Sequence, residues 1–468
     1  MSVAVTFIAI VDGAITTVAL PSIARQFHLT TAALDGVVVV YPVCLAMAIP
    51  ASAWLVERFG AKRVLLAALA GFLGSSVLCG AAADLGQLVA FRAVQGLSAG
   101  LLFPASAALL FSTFNSSDQV RISRHMIIPQ QMAPAAAPIL GGLLVDHLSW
   151  RWVFYVNLPV GIPAMLFGLL FLTEHRGRRP GRFDLPGLLL SAAALASVMF
   201  GISEGPNRGW SSTAVIVALS LGILLLAAAV IVELRTTEPL LKLRLFTDRL
   251  FRDTNLINLV GLIPILGAMY LGPLFLQQGQ GRTALESGTT TFPEAFGVLL
   301  TVQLAGVLYV RIGPRVIIGC GMAGVCAVLL LFATSDAHTS LWTFRGYMFL
   351  LGIAMGGVFM PTMVASLAGI ARRDLAQAST LNTVVRQTGG ALAPAAVTTA
   401  LVLNTPVAAS ADPPVAAYQH AYLVLAGIAA ATAVFAFTLR DGPARAAARG
   451  TTTTSASTPD RRREDAHH

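Results

Sequence analysis

The chain has 468 residues, of which 56% are hydrophobic and only 11% charged, with a formal charge of +9. A soluble globular domain carries roughly 25% charged residues, and so apolar a chain would expose adhesive surface wherever it met water. The same composition excludes intrinsic disorder, and a nucleic-acid partner is excluded because the positive charges sit in short loops between apolar runs.

A membrane-crossing helix needs about 20 mostly apolar residues, and fourteen such spans are predicted along the chain. The first covers 4–20. Its end, Ala19-Leu20-Pro21, superficially suggests a signal peptide, but there is no basic leading region and Asp12 interrupts the run. A first membrane helix is the better reading, and with about three residues ahead of it the true start is expected slightly upstream. Asp12 is the chain's most costly residue, because a carboxylate in hydrocarbon needs a cavity or a partner. It reads either as a proton or cation site on a transport path or as a structural acid held at the headgroups.

The next spans lie at 34–55, 64–82 and 86–110. Arg92 stands early in the last of these. It either snorkels to the cytoplasmic headgroups or forms a buried charge that pairs alternately with an acid. The fifth span, 126–145, holds Pro134 and Pro138 ahead of Gly141 and Gly142. Prolines free backbone carbonyls and bend a helix, and small residues allow close helix contact. His125 borders this span and reads as a headgroup-level residue rather than a proton relay.

Spans six to eight lie at 152–173, 185–203 and 212–232, and nine to twelve at 255–275, 290–310, 315–334 and 342–368. Glu204 and Glu294, at the outer ends of the seventh and tenth, could attract cationic cargo at a cavity mouth, but read better as ordinary exposed ends. The thirteenth and fourteenth lie at 384–403 and 418–438. Arg386 either caps the cytoplasmic end of the thirteenth or acts directly. The tail 441–468 has no apolar face and is expected to be a disordered cytoplasmic extension. Cys44, Cys79, Cys320 and Cys326 fall in apolar runs with no C-x-x-C spacing and read as small buried hydrophobes. No metal site is expected.

Eighteen Lys and Arg lie in the loops after even-numbered spans, against four in the opposite loops. That asymmetry places both termini in the cytoplasm. A faint repeat accompanies it. Gly60-Ala61-Lys62-Arg63 and Gly313-Pro314-Arg315 open spans three and eleven; Phe91-Arg92 and Phe344-Arg345 open spans four and twelve. The offsets are 252 residues for Arg63/Arg315 and 253 for Arg92/Arg345. Two duplicated halves with a midplane site are a transporter architecture. The expected organisation is an N-terminal six-helix half (1–175), an inserted helix pair (176–250), a C-terminal six-helix half (251–440) and the tail. No soluble-enzyme constellation stands up, and neither a G-x-x-x-x-G-K-[ST] phosphate loop nor H-E-x-x-H occurs. Transport by this chain alone would draw on an ion gradient.

Several motifs carry a resemblance. Asp12 and Ala19-Leu20-Pro21 match a first-helix pattern L-D-x-T-I-V-N-V-A-L-P. Leu55-Val56-Glu57-Arg58-Phe59-Gly60-Ala61-Lys62-Arg63 matches a G-x-L-a-D-R-x-G-r-r gate, with Glu57 for Asp. Arg92, Gln95 and Gly96 match R-x-x-Q-G. Pro138, Gly141 and Gly142 remain from G-x-x-x-G-P-x-x-G-G, with Ala133 and Ala137 replacing glycines. Ser149 to Gly161 follows s-W-R-w-i-F-x-i-N-x-P-i-G, and Arg386-Gln387 with Gly389-Gly390 fit span thirteen. Up to about residue 440, the chain resembles the major facilitator superfamily, and within it the fourteen-helix drug:proton antiporters of the DHA2, EmrB/QacA-like group. The resemblance implies an all-α polytopic membrane protein of the major facilitator fold. It implies proton coupling through Asp12 and Arg92, and a cytoplasmic gate at Glu57, Arg58, Gly60 and Arg63. It implies an antiporter helix around Pro138, Gly141 and Gly142. Gln95, Glu294 and Arg386 are the candidates for the cavity or its mouth. The expected function is multidrug efflux of hydrophobic or cationic small molecules across the cell membrane, as a monomer in the lipid bilayer without a cofactor. Another metabolite transporter, and a non-transporting sensor on the same fold, are the alternatives.

Overall fold

A computed structural model of the chain describes residues 1–27, 35–113, 133, 136–137, 139–145, 147–174, 184–236, 241–370, 374–403, 414–440 and 442. It is all-α. In chain order the helices are α1 (Ser2–Phe27), α2 (Asp35–Phe59), α3 (Ala61–Ala81), α4 (Leu85–Thr113), the short α5 (Trp152–Tyr155), α6 (Leu158–Phe171), α7 (Leu185–Arg208) and α8 (Thr213–Arg235). They continue as α9 (Arg249–Leu274), α10 (Ala284–Thr291), α11 (Pro293–Ile312), α12 (Pro314–Ala333), α13 (Leu341–Leu367), α14 (Leu375–Leu403) and α15 (Val415–Ala436). Residues 139–145 of the fifth span are helical too, whereas Pro134, Pro138 and His125 lie outside the described residues, as does nearly all of the tail.

Helices follow from the solvent. Hydrocarbon offers no partner to a backbone N–H or C=O, so an apolar run must satisfy them internally. Among the described residues nine helices are long and apolar enough to cross a membrane, or ten if bent α1 counts as one span. The chain is therefore a multi-pass membrane protein. In α8 only 17% of the apolar window is buried, so most of its surface is left for lipid.

Several boundaries differ from expectation. The sixth span breaks at Asn157 into α5 and α6, because Pro159 has no N–H for the ladder. The tenth breaks likewise at Pro293, leaving α10 as a separate helix of about two turns with its own Thr283/Glu286 capping box. α14 starts at Leu375, not at residue 384, since Leu375, Gln377 and Ala378 are good helix formers even though Gln377 and Ser379 lower its hydropathy. Ser212, Asp248 and Ser340 cap α8, α9 and α13 by accepting from backbone N–H groups.

The buried apolar side chains gather into separate clusters. One draws on α9 and α11 to α15; two others draw on α1 to α6. α7 packs on both α2 and α14. The same device closes equivalent helix pairs in both regions. A Cβ on Gly96 would lie 2.4 Å from Tyr41 O, and one on Gly352 2.0 Å from Glu294 O, so α4 meets α2, and α13 meets α11, backbone to backbone. The turns into α3 and α12 also correspond: Gly60 has φ 93° and ψ 148°, and Gly313 has φ 84° and ψ 162°. Both need glycine's access to positive φ. Two G-x-S-x-G strings, at 96–100 and 201–205, lie inside α4 and α7. Neither is the strand-to-helix elbow that activates a serine.

Candidate functional site

Asp12 lies mid-way along α1 with no exposed surface, and Arg92 of α4 is 1% exposed. Arg92 Nη1 donates to Asp12 Oδ2 at 2.6 Å. The other carboxylate oxygen accepts from Gln95 Nε2 at 3.0 Å and from Asn157 Nδ2 at 2.7 Å. Both amides also donate to Ser76 Oγ of α3, at 2.7 and 3.1 Å. Arg92 Nη1 is shared with Gln95 Oε1 at 2.8 Å. The guanidinium carbon sits 4.3 Å from the Tyr41 ring centre and 5.7 Å from that of Phe154. The Asp12 carboxylate of α1 thus joins α4 and the α5–α6 break directly, and Ser76 ties in α3 through the two amides.

Arg92 therefore does not snorkel; it is the buried partner of Asp12. Burying two charges is costly unless their hydrogen bonds are filled, and here they nearly are. Arg92 Nε and Asn157 Oδ1 are the buried polar atoms of the cluster without a partner. Asn157, Ser76 and Tyr41 were not marked as site residues from the sequence. The available signal was Asn157 itself, an amide at a helix break inside an apolar span.

A cavity of about 290 Å³ borders this cluster, lined by α1, α2, α4 and, from the other region, Gln387 of α14. Arg92 lines it; Asp12 does not. Arg386 was expected at a helix end, but lies well inside α14 with its guanidinium 5.7 Å from the Phe359 ring centre.

The gate residues are arranged around Glu174, which lies outside every motif of the sequence. Its carboxylate accepts from the backbone N–H groups of Lys62 and Arg63, each at 3.3 Å, and lies 3.7 Å from Arg63 Nε. Lys62 Nζ donates to Leu172 O at 2.6 Å. A Cβ on Gly60 would strike Glu174. Among the described residues no ion pair joins Glu57 to Arg58 or Arg63. Arg58 is exposed, and the charge acting on Glu57 is that of Lys242.

Gly141 packs on α1, where a Cβ would lie 2.9 Å from Ile15 Cγ1, while Gly142 faces open space. The expectation of exposed acids is corrected. Glu204 is 5% exposed and pairs with Arg208 one turn on; Glu294 is 7% exposed. The end of α11 is covered because α10 and α13 both pack there. The internal repeat does not extend to the ion pair: Arg345 stacks on Trp342, 4.5 Å from its ring centre, and Pro264 stands 252 residues after Asp12.

A family model described as Major Facilitator Superfamily matches residues 3–394 and 257–463. The chain belongs to this superfamily. It is a transporter of that family rather than an enzyme. It is 32% identical to a "Multidrug resistance protein B homolog" of Mycobacterium tuberculosis (strain ATCC 25618 / H37Rv), over 82% of this chain and 72% of that one. It is 28% identical to the "Tetracenomycin C resistance and export protein" of Streptomyces glaucescens, over 81% and 71%. Among solved structures, the human organic anion transporter MFSD10 superimposes with a TM-score of 0.63 at 14% identity, over 93% of this chain and 98% of that chain. That likeness concerns the fold alone.

Proposed function

We propose that this major facilitator protein is a proton-coupled antiporter exporting hydrophobic or cationic small molecules across the cytoplasmic membrane. Its fourteen spans form two six-helix halves, 1–175 and 251–440, with an inserted pair at 176–250. Both termini are cytoplasmic and the working unit is a monomer. Separate apolar clusters in the two regions and the recurring Gly60/Gly313 turn support the two-half organisation. The names of the resistance and export relatives support the cargo class and direction.

The observation that carries the proton reading is the buried Asp12–Arg92 pair at the edge of a cavity shared by both regions. A proton arriving on Asp12 cancels the carboxylate charge and leaves Arg92 uncompensated. The helices tied to that carboxylate, α4 directly and α3 through the amides, are then free to reorganise. Such a bistable element is what alternating access requires.

The test uses inside-out vesicles carrying a pH-sensitive dye, an imposed proton gradient and a broad panel of drugs. Proton movement evoked by at least one compound is expected, and none from the whole panel counts against antiport. Evoked movement that runs with the cargo rather than against it would favour the alternative of an inward metabolite transporter.

A further inference from the structure

The described lining of the central cavity contains one charged residue, Arg92, and no carboxylate. Its counter-ion, Asp12, is fully buried and does not reach the cavity. The ion pair is thus presented to an incoming molecule with its positive end foremost. Arg386 is not part of this lining, and its guanidinium faces the Phe359 ring instead. Around this charge the wall offers the Tyr41 and Phe103 rings and the Leu45 side chain, with Thr16 and Gln387 as hydrogen-bonding groups.

We infer that this cavity takes neutral or anionic aromatic molecules bearing hydrogen-bond acceptors, and discriminates against permanent cations. The inference rests on the transporter reading of the cavity and selects between its two cargo classes. A cation there meets the positive end of the pair and no counter-ion among the described lining residues, in a poorly screened site. A carbonyl, phenol or carboxylate oxygen instead accepts from Arg92, Gln387 Nε2 or the Thr16 hydroxyl while its ring packs on Phe103. About 290 Å³ lies near the small end of ligand pockets, roughly 300–1,000 Å³, so a two-ring body is the fitting size. Glu294 would be the natural partner for a cationic cargo, but it is not part of this lining.

The experiment is equilibrium dialysis of the purified full chain in lipid nanodiscs, with empty nanodiscs subtracted, against three probes on one ring system: 2-naphthol, 2-naphthoate and (2-naphthyl)trimethylammonium. The neutral and anionic probes are expected to bind saturably, and the quaternary cation at least about tenfold more weakly. Gln387→Glu supplies the missing carboxylate and is expected to reverse the order of naphthoate and the cation. A wild-type protein that binds the cation as well as naphthoate, or binds none of the three saturably, overturns the inference. So does a Gln387→Glu protein with an unchanged order. Dialysis needs no proton gradient, so a failure of proton coupling in vesicles would leave this result standing, and the reverse.

Discussion

Three donors hold Asp12, and they are not equivalent. Arg92 supplies the opposite charge, whereas Gln95 and Asn157 supply geometry and bind the site to Ser76. Removing one partner of a buried pair strands the other charge, so Arg92→Ala is expected to cost about 3–5 kcal/mol. Asn157→Ala removes two hydrogen bonds from an uncharged donor in a membrane interior, to Asp12 and Ser76, and is expected to cost only about 1–2 kcal/mol. Thermal unfolding of the purified variants in detergent checks both, and equal losses would contradict the division of roles. Asp12 and Arg92 were legible in the sequence because charge inside an apolar run is rare and expensive. Asn157 and Ser76 were not, since neutral polar residues are common in such runs. Asn157 meets Asp12 only through a helix break 145 residues away in the chain. Glu294 was misread because exposure at a helix end depends on what packs over it.

Among the elements, small residues set how closely helices approach. Gly352→Ala would drive a methyl into the Glu294 carbonyl, while Gly142→Ala meets nothing within 4 Å. The first is expected to destabilise by about 1–3 kcal/mol, and the second to change the melting temperature little. Glu174 supplies a different kind of closure, capping α3 and pairing with Arg63 from beyond the end of α6. Glu174→Ala is expected to cost about 0.5–2 kcal/mol, the usual range for a lost cap, read by the same melts. The gate motif showed that Gly60 and Arg63 belong together, but not that their partner is a carboxylate past a different helix. No local pattern near residue 60 encodes a contact 112 residues away.

For the molecule as a whole, composition alone already required a membrane, and loop charges suggested its sidedness. In a background lacking the four native cysteines, Thr438→Cys is expected to react with a membrane-impermeant maleimide only from the cytoplasmic face. Ser211→Cys is expected to react only from outside. Labelling of both from one face would break the fourteen-span assignment. The repeat was legible in its turns and glycines, because both regions need the same close helix approach. Its limit was not, because only the structure shows Arg92 buried on Asp12 and Arg345 stacked on Trp342. Under the proposed function, coupling falls on α1 and α4, beside a cavity that α14 also lines. The most direct measurement is cargo-evoked proton movement in proteoliposomes, comparing the unchanged protein with Asp12→Asn, which keeps the side chain's shape but has no site for the proton. The expected result is a proton signal in the former and none in the latter at equal amounts of inserted protein. An undiminished signal in Asp12→Asn would contradict proton coupling at this carboxylate.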